Sequence, residues 1–237
     1  MILLIDADSM VFASCYKQRE YDEDTGFHTD ITEAFDKFHE QVLKVIGDIE
    51  DMYDVDEAFI FNGSKGNFRK LITRKYKANR KKNAMPPLLN ELHDMVKKEF
   101  DSIYRYGVET DDVVASWWKT ISDEIGRENV MIVSIDKDYR QFPCLLYNYH
   151  PKHRSVEDIS PEQAKYNFYA QMIMGDAADN VNYFKGKGKV FAYRYLNDCV
   201  TDYQYRRRVF ELFKHQYKSK AREKYIECYS LLKLRTE

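Results

Sequence analysis

Val130-Met131-Ile132-Val133-Ser134-Ile135-Asp136-Lys137-Asp138 is an apolar run that stops on a pair of carboxylates. Its length and β-branched residues read as a strand buried on both faces. Two other apolar runs end the same way. Ile2-Leu3-Leu4-Ile5 meets Asp6, and Met172-Ile173-Met174 meets Gly175-Asp176, with Asp179 close behind. A further group, Glu109, Asp111 and Asp112, stands at the mouth of an expected helix. Carboxylates just past the carboxyl ends of buried strands converge in the crevice where open α/β sheets bind ligands. Eight of them, left unpaired, would repel and raise one another's pKa, and divalent cations relieve that. Oxygen ligands without His or Cys nearby favour Mg²⁺ or Mn²⁺ over zinc. A solvated acidic rim, the plainer reading, gives no reason for acids to recur where apolar runs end.

Working outward, residues 58–61, 103–106 and 145–149 read as further short strands. Ile31, Phe35, Phe38, Val42, Val45, Ile49 and Met52 recur at helical spacing behind a Thr29-Asp30 cap. Pro86-Pro87 opens a helix reaching about Phe100, and Asp111 opens one reaching about Ile125. This alternation predicts an α/β fold, a mostly parallel sheet within three layers. After Pro151 the pattern predicts helices only, with Ser160-Pro161-Glu162-Gln163 as cap and first turn. Helical spacing resumes at Phe191 and at Tyr205, and the expected boundary lies near residue 158.

The net charge of −2 conceals segregation. Residues 20–57 hold 14 acids against Lys37 and Lys44, whereas residues 63–90 hold no acid and nine Lys or Arg. Residues 206–224 carry eight more basic residues against Glu211 and Glu223. Long basic runs beside an acidic centre predict a phosphate-rich partner, nucleic acid. No apolar run nears the roughly 18 residues of a membrane span, which predicts no membrane association. The four cysteines show no C-x-x-C pairing and no basic leader precedes the first strand, so reduced thiols in a cytoplasmic setting are expected. His150 and His153 lack partner ligands and read as loop histidines.

Five segments in order carry a resemblance: Ile5-Asp6-Ala7-Asp8-Ser9, Lys75-Tyr76-Lys77-Ala78-Asn79-Arg80, Val108-Glu109-Thr110-Asp111-Asp112, Ser134-Ile135-Asp136-Lys137-Asp138, and Met174-Gly175-Asp176-Ala177-Ala178-Asp179-Asn180. Singly each is weak; together, reaching to about Ala192, the set resembles the 5′-nuclease family. That family includes phage 5′→3′ exonucleases, flap endonucleases and the 5′-nuclease domain of bacterial DNA polymerase I. The resemblance implies a PIN-like nuclease domain over residues 1–158, with a basic arch segment at about 63–90. A helical helix-hairpin-helix domain for duplex DNA would follow over 159–237. It implies divalent-metal-dependent cleavage at or near 5′ ends of DNA, 5′ flaps or RNA primers on DNA, in phage DNA replication. The enzyme would work as a monomer in the cytoplasm of a bacterial host, with a replication polymerase or single-strand-binding protein as partner.

Residue by residue, the resemblance makes Asp6, Glu109, Asp111 and Asp112 inner metal ligands, completed by Asp136, Asp138, Asp176 and Asp179. Two Mg²⁺ or Mn²⁺ ions roughly 4 Å apart would activate a water and stabilise charge on the phosphorane. Lys77 and Arg80 would join Asp6, Asp111 and Asp136 in catalysis, holding the scissile phosphate at the base of the arch. Lys75, Lys77 and Arg80, and the hairpin residues Lys185, Gly186, Lys187, Gly188 and Lys189, would contact DNA. Asp8 matches no ligand of the family, and a supporting role or a bare turn residue both stay open.

Three departures stand out. Asn62 replaces an aspartate of relatives, which predicts one weaker metal site. Gln171 replaces a lysine found in some relatives. In the hairpin, Lys187 replaces an apolar residue and Val190 a lysine, which predicts duplex binding by charge and leaves open whether K⁺ is held there. Rival readings are a haloacid-dehalogenase-type phosphatase, from Asp6-x-Asp8 and Gly175-Asp176-x-x-Asp179-Asn180, a PIN-type ribonuclease, and a DNA-binding protein that has lost catalysis. The phosphatase leaves the remaining acids and the basic segment unexplained. A P-loop is excluded, because no Gly-x-x-x-x-Gly-Lys-Ser/Thr occurs.

Overall fold

Strand β1 (Ile2–Asp6) pairs in parallel with β2 (Glu57–Phe61) on one side and β3 (Val130–Val133) on the other. Beyond β3, β4 (Leu145–Asn148) is also parallel, and β5 (Ser155–Asp158) closes the sheet antiparallel, giving the order β2-β1-β3-β4-β5. The register aligns Ile5 with both Ile60 and Val133. Asp6, Asn62 and Ser134 therefore leave the sheet along one edge. This arrangement comes from a computed structural model, which describes residues 1–17, 26–63, 65–79 and 85–236.

Side chains alternate across a strand, and the two faces of the sheet collect separate cores. Leu3, Ile5, Met131 and Val133 pack against α1 (Asp8–Ser14), α2 (Ile31–Glu50) and α4 (Leu89–Glu99). Leu4, Ile132, Leu146 and Phe61 pack against α5 (Thr110–Ile125) through Val113, Val114 and Trp118. This is the predicted three-layer arrangement. The Asp30 side chain caps α2 by accepting from the Thr32 N–H at 2.8 Å, and Phe38, Val42, Val45 and Ile49 are its buried face. Between β2 and α4, the described residues form one short helix, α3 (Arg69–Ile72).

Past the sheet, α6 (Pro161–Met174) starts on the predicted Ser160–Gln163 capping box. It stops at Gly175, whose φ is +75° and where a Cβ would lie 2.2 Å from the Val181 carbonyl oxygen, so only glycine can turn the chain into Asp176. Around α6 gather α7 (Lys189–Leu196), α8 (Asp202–Tyr217) and α9 (Ala221–Leu232), with Met172, Ile173, Val209, Phe213 and Cys228 as their shared core.

Two expectations fail. Residues 103–106 do not form a strand, since only Ile103 bridges to Phe61 before Tyr104 and Tyr106 turn to solvent. Residues after 151 are not all helical either. Ser155-Val156-Glu157-Asp158 is a charged edge strand, and a sequence search for apolar runs passes over such edges. All four cysteines are buried and unpaired. Among the described residues, no helix is long and apolar enough to cross a membrane.

Candidate metal centre

The eight predicted carboxylates ring the edge of the sheet where β1 and β3 end, but they are not equivalent. Asp6 is buried, and its Oδ2 accepts from the Tyr139 hydroxyl at 2.8 Å. Burial, then Asp8 and Asp136, push its pKa up to about 7 despite that bond. Asp111 stands at the start of α5, where burial and the neighbouring Asp112 and Glu109 hold it well above the carboxylate range. Oxygens of Glu109, Asp111 and Asp112 lie within 4.8 Å of one another. Asp136 accepts from the Asp138 N–H at 2.9 Å. Burial and Asp136 push Asp138 up to about 6.

Among the described residues, three cations neutralise the periphery. Arg69, 1% exposed, forks onto both oxygens of Asp112 at 2.6 and 2.9 Å and reaches Glu109 at 2.7 Å. Its other N–H groups donate to the Leu231 and Lys233 carbonyls, so the pair also ties the segment after α9 to this site. Lys77 bridges Glu109 and Asp179. Lys137 bridges Asp138 and Asp176. Burial would raise Glu109 and Asp176, but Lys77 and Arg69 at the first, and Lys137 at the second, hold both below their ordinary values. Among the described residues, no ion pair reaches Asp6, Asp8, Asp111 or Asp136. One Asp8 oxygen is buried without a donor. An all-carboxylate donor set with uncompensated central charge suits a hard divalent cation.

The departures acquire physical meaning here. Asn62 is 1% exposed; its Nδ2 donates to the His93 carbonyl at 2.9 Å and its Oδ1 accepts from His93 Nδ1. The amide oxygen is thus turned to the imidazole. Asn62→Asp should therefore leave Mg²⁺ affinity unchanged and lower stability by about 1–3 kcal/mol, because the His93 carbonyl loses its donor. Melting curves and a Mg²⁺ titration of the variant check this; tighter Mg²⁺ binding is the contrary result. Gln171 donates to Asp138 at 2.8 Å and to Asp176 at 3.3 Å. The ammonium that some relatives place at position 171 is supplied instead by Lys137.

The predicted arch base docks onto the Gly175–Asn180 loop. The Lys77 N–H donates to the Asp179 carbonyl at 2.9 Å, Asn180 Nδ2 to the Lys75 carbonyl at 2.8 Å, and the Tyr76 hydroxyl to Asp179 at 2.7 Å. Lys75 is exposed. Arg80 lies outside the described residues, as do residues 81–84 of the same segment. In the hairpin, Lys185, Gly186, Gly188 and Lys189 are exposed, and Lys187 lies over the Phe191 ring at 3.8 Å. The hairpin follows the 176–180 loop directly in sequence and leads into α7.

Sequence reasoning missed Arg69, Lys137 and Tyr139 as parts of the site. Arg69 is one cation in a long basic run, and nothing in the sequence distinguishes a buried one. Tyr139 reads as core. Lys137 did carry a signal, since it stands between two predicted ligands.

Comparison with known proteins agrees with this geometry. A family model described as "5′-3′ exonuclease, N-terminal resolvase-like domain" matches residues 1–166. A 5′-3′ exonuclease of Buchnera aphidicola subsp. Schizaphis graminum is 33% identical over 139 residues, covering 52% of this chain and 45% of the relative. The 5′-3′ exonuclease of Buchnera aphidicola subsp. Acyrthosiphon pisum is 26% identical over 192 residues, covering 76% and 64%. The chain therefore spans about half to two thirds of the length of these curated relatives. Among solved structures, a bacteriophage T5 flap endonuclease, described as a pseudo-enzyme–product complex with DNA and metal ions, superposes with a TM-score of 0.67. The two are 14% identical, over 99% of this chain and 89% of that one. The catalytic core of Rad2 in complex with a DNA substrate gives a TM-score of 0.51 at 12% identity, over 98% of this chain and 71% of that one. These structures share the fold, a PIN-like α/β nuclease sheet followed by a helical region. With the family model matched from β1 into α6, and the acidic residues gathered at the sheet edge, the chain belongs to the 5′-3′ exonuclease family.

Proposed function

We propose that this chain is a divalent-metal-dependent nuclease that hydrolyses phosphodiesters at or near 5′ ends of DNA, 5′ flaps or RNA primers on DNA, in phage replication. The observation that carries the reading is that Asp6, Asp111 and Asp136 have no ion-pair partner among the described residues, beside a lysine, Lys77, fixed on the Asp179 loop. Two Mg²⁺ or Mn²⁺ ions held by these acids, with Glu109, Asp138, Asp176 and Asp179, would activate water and stabilise the leaving oxygen. Asp112 keeps Arg69, and through it Glu109, in place. Lys77 and Arg80 hold the scissile phosphate. Residues 1–158 act as the nuclease domain and 159–237 as the duplex-binding domain. Size analysis of products from a 5′-labelled flap tests the reading. Mononucleotides mean an exonuclease and an intact flap an endonuclease; no Mg²⁺-dependent release overturns both.

The hairpin lysines should act by counterion release. Replacing Lys185, Lys187 and Lys189 together with Ala should weaken binding of a short duplex in Ca²⁺ and flatten log affinity against log salt by about three units. An unchanged slope would move duplex binding to the basic residues 206–224.

A further inference from the structure

Both oxygens of Asp112 are taken by the protein. Oδ2 accepts from Arg69 Nη1 at 2.6 Å, and Oδ1 accepts from Arg69 Nη2 at 2.9 Å and from the Arg235 N–H at 2.8 Å. Arg235 lies in the non-helical segment that follows α9. The Arg69 guanidinium is shared in the same way. Nη1 also reaches Glu109, while Nε and Nη2 donate to the Leu231 and Lys233 carbonyls, both at 3.0 Å. Every N–H of that group thus has an acceptor, and the end of α9 provides part of the set. Arginine keeps its charge in proteins. Deprived of these carbonyls, a buried guanidinium must turn further onto other oxygens, and Glu109 is one it already touches.

The segment is anchored independently of that pair. Gln141, 5% exposed, ends the short 3₁₀ helix that carries Asp138. Its Nε2 donates to the Leu232 carbonyl at 3.1 Å, and its Oε1 accepts from the Leu234 N–H at 3.0 Å. The Leu234 side chain is buried in the same core as Trp118 and Phe142, on the α5 face of the sheet. Leu231 and Leu232 belong instead to the core of the helical region. Residues 231–235 therefore pass from one core into the other. On the way they supply acceptors to Arg69 and a donor to Asp112.

We propose that residues 231–235 form a positioning strap of the metal centre. By holding Asp112 and Arg69 from the side of α9, the strap limits how far the guanidinium takes Glu109, and so leaves that carboxylate for a divalent ion. It acts through Asp112 and Arg69 and not on the reacting atoms. Groups that orient a metal's ligands change its affinity even though they never touch it. The inference rests on the metal-dependent reading above, and it gives the helical region a part in the centre besides the duplex binding proposed for it.

The test compares two changes at one position of the full chain. Arg235→Pro removes the N–H that Asp112 accepts. Arg235→Ala keeps that N–H and removes only the side chain, whose guanidinium lies over the Phe68 ring at 3.4 Å. Mn²⁺ uptake without DNA is followed by the electron paramagnetic resonance signal of free Mn²⁺. It should weaken roughly 10- to 100-fold in Arg235→Pro and stay near the wild-type value in Arg235→Ala. Gln141→Leu removes both bonds that anchor the strap and should weaken uptake in the same direction. A strap that only joined the two regions would lower the melting temperature of Arg235→Pro and leave its Mn²⁺ affinity at the wild-type value, which overturns the proposal. Equal weakening in Arg235→Ala overturns it too, because the N–H bond would not carry the effect. If Arg235→Pro does not fold, wild-type affinity in Gln141→Leu overturns it alone. A wild-type chain that takes up no Mn²⁺ overturns the metal-dependent reading together with this one.

Discussion

Asp111→Asn should abolish Mg²⁺-dependent cleavage and, in EDTA, should melt above the wild-type protein. The two effects have one cause. Asp111 is pushed well above the carboxylate range by burial and by Asp112 and Glu109, so its charge destabilises the metal-free fold. Asp6, raised to about 7, and Asp138, raised to about 6, share that condition. For an acid whose folded pKa is raised, stability is fully present below the unfolded value, here 3.8, and is lost as pH climbs to the folded one. Metal-free protein should thus lose stability between about pH 4 and pH 7, by about 1.4 kcal/mol for each unit that a group is raised. Glu109 and Asp176 are lowered, so their contribution is lost only on acidification through the carboxylate range, outside most of that window. Mg²⁺ should flatten the fall in the wild type, and Asp111→Asn should flatten it without Mg²⁺. Retained turnover in a folded variant, or a lower melting point in EDTA, would remove Asp111 from the metal centre.

Apolar runs ending in acids were enough to place β1 and β3, and the Ser160–Gln163 cap placed α6, because buried parallel strands and a capped helix leave strong local signals. What stayed hidden was pairing. Whether a cation in the run 65–82 lies in solvent or against a carboxylate depends on contacts far apart in sequence, as in Arg69 with Asp112. The same holds for Asn62, whose partner His93 sits on α4. Edge strand β5 stayed hidden for another reason. Its side chains are half in water, so hydrogen bonds to β4 specify it and hydrophobic pattern does not. The positions of the acids were legible, while the distribution of charge among them required the fold.

Lys77→Ala should slow single-turnover cleavage at saturating DNA by ~10²–10³-fold, the loss typical of one transition-state donor, and should change affinity little. The backbone supports this. Lys77 has φ +56°, a left-handed conformation that costs a side-chain-bearing residue about 1–2 kcal/mol. Its N–H bond to Asp179, the Asn180 bond to Lys75 and the Asn79 bond to Ala177 hold it there. A strained residue fixed by its neighbours on both sides is being aimed, and the ammonium is aimed between Glu109 and Asp179. With divalent ions held by those carboxylates, the amine would be released to hold the scissile phosphate. Lys77→Gly separates the two contributions: it relieves the strain and should melt above Lys77→Ala, yet cleave equally slowly. A solvated phosphate contact predicts a different pattern, with weaker binding, a salt slope smaller by about one unit and full rate at saturation. That pattern would remove Lys77 from the chemistry.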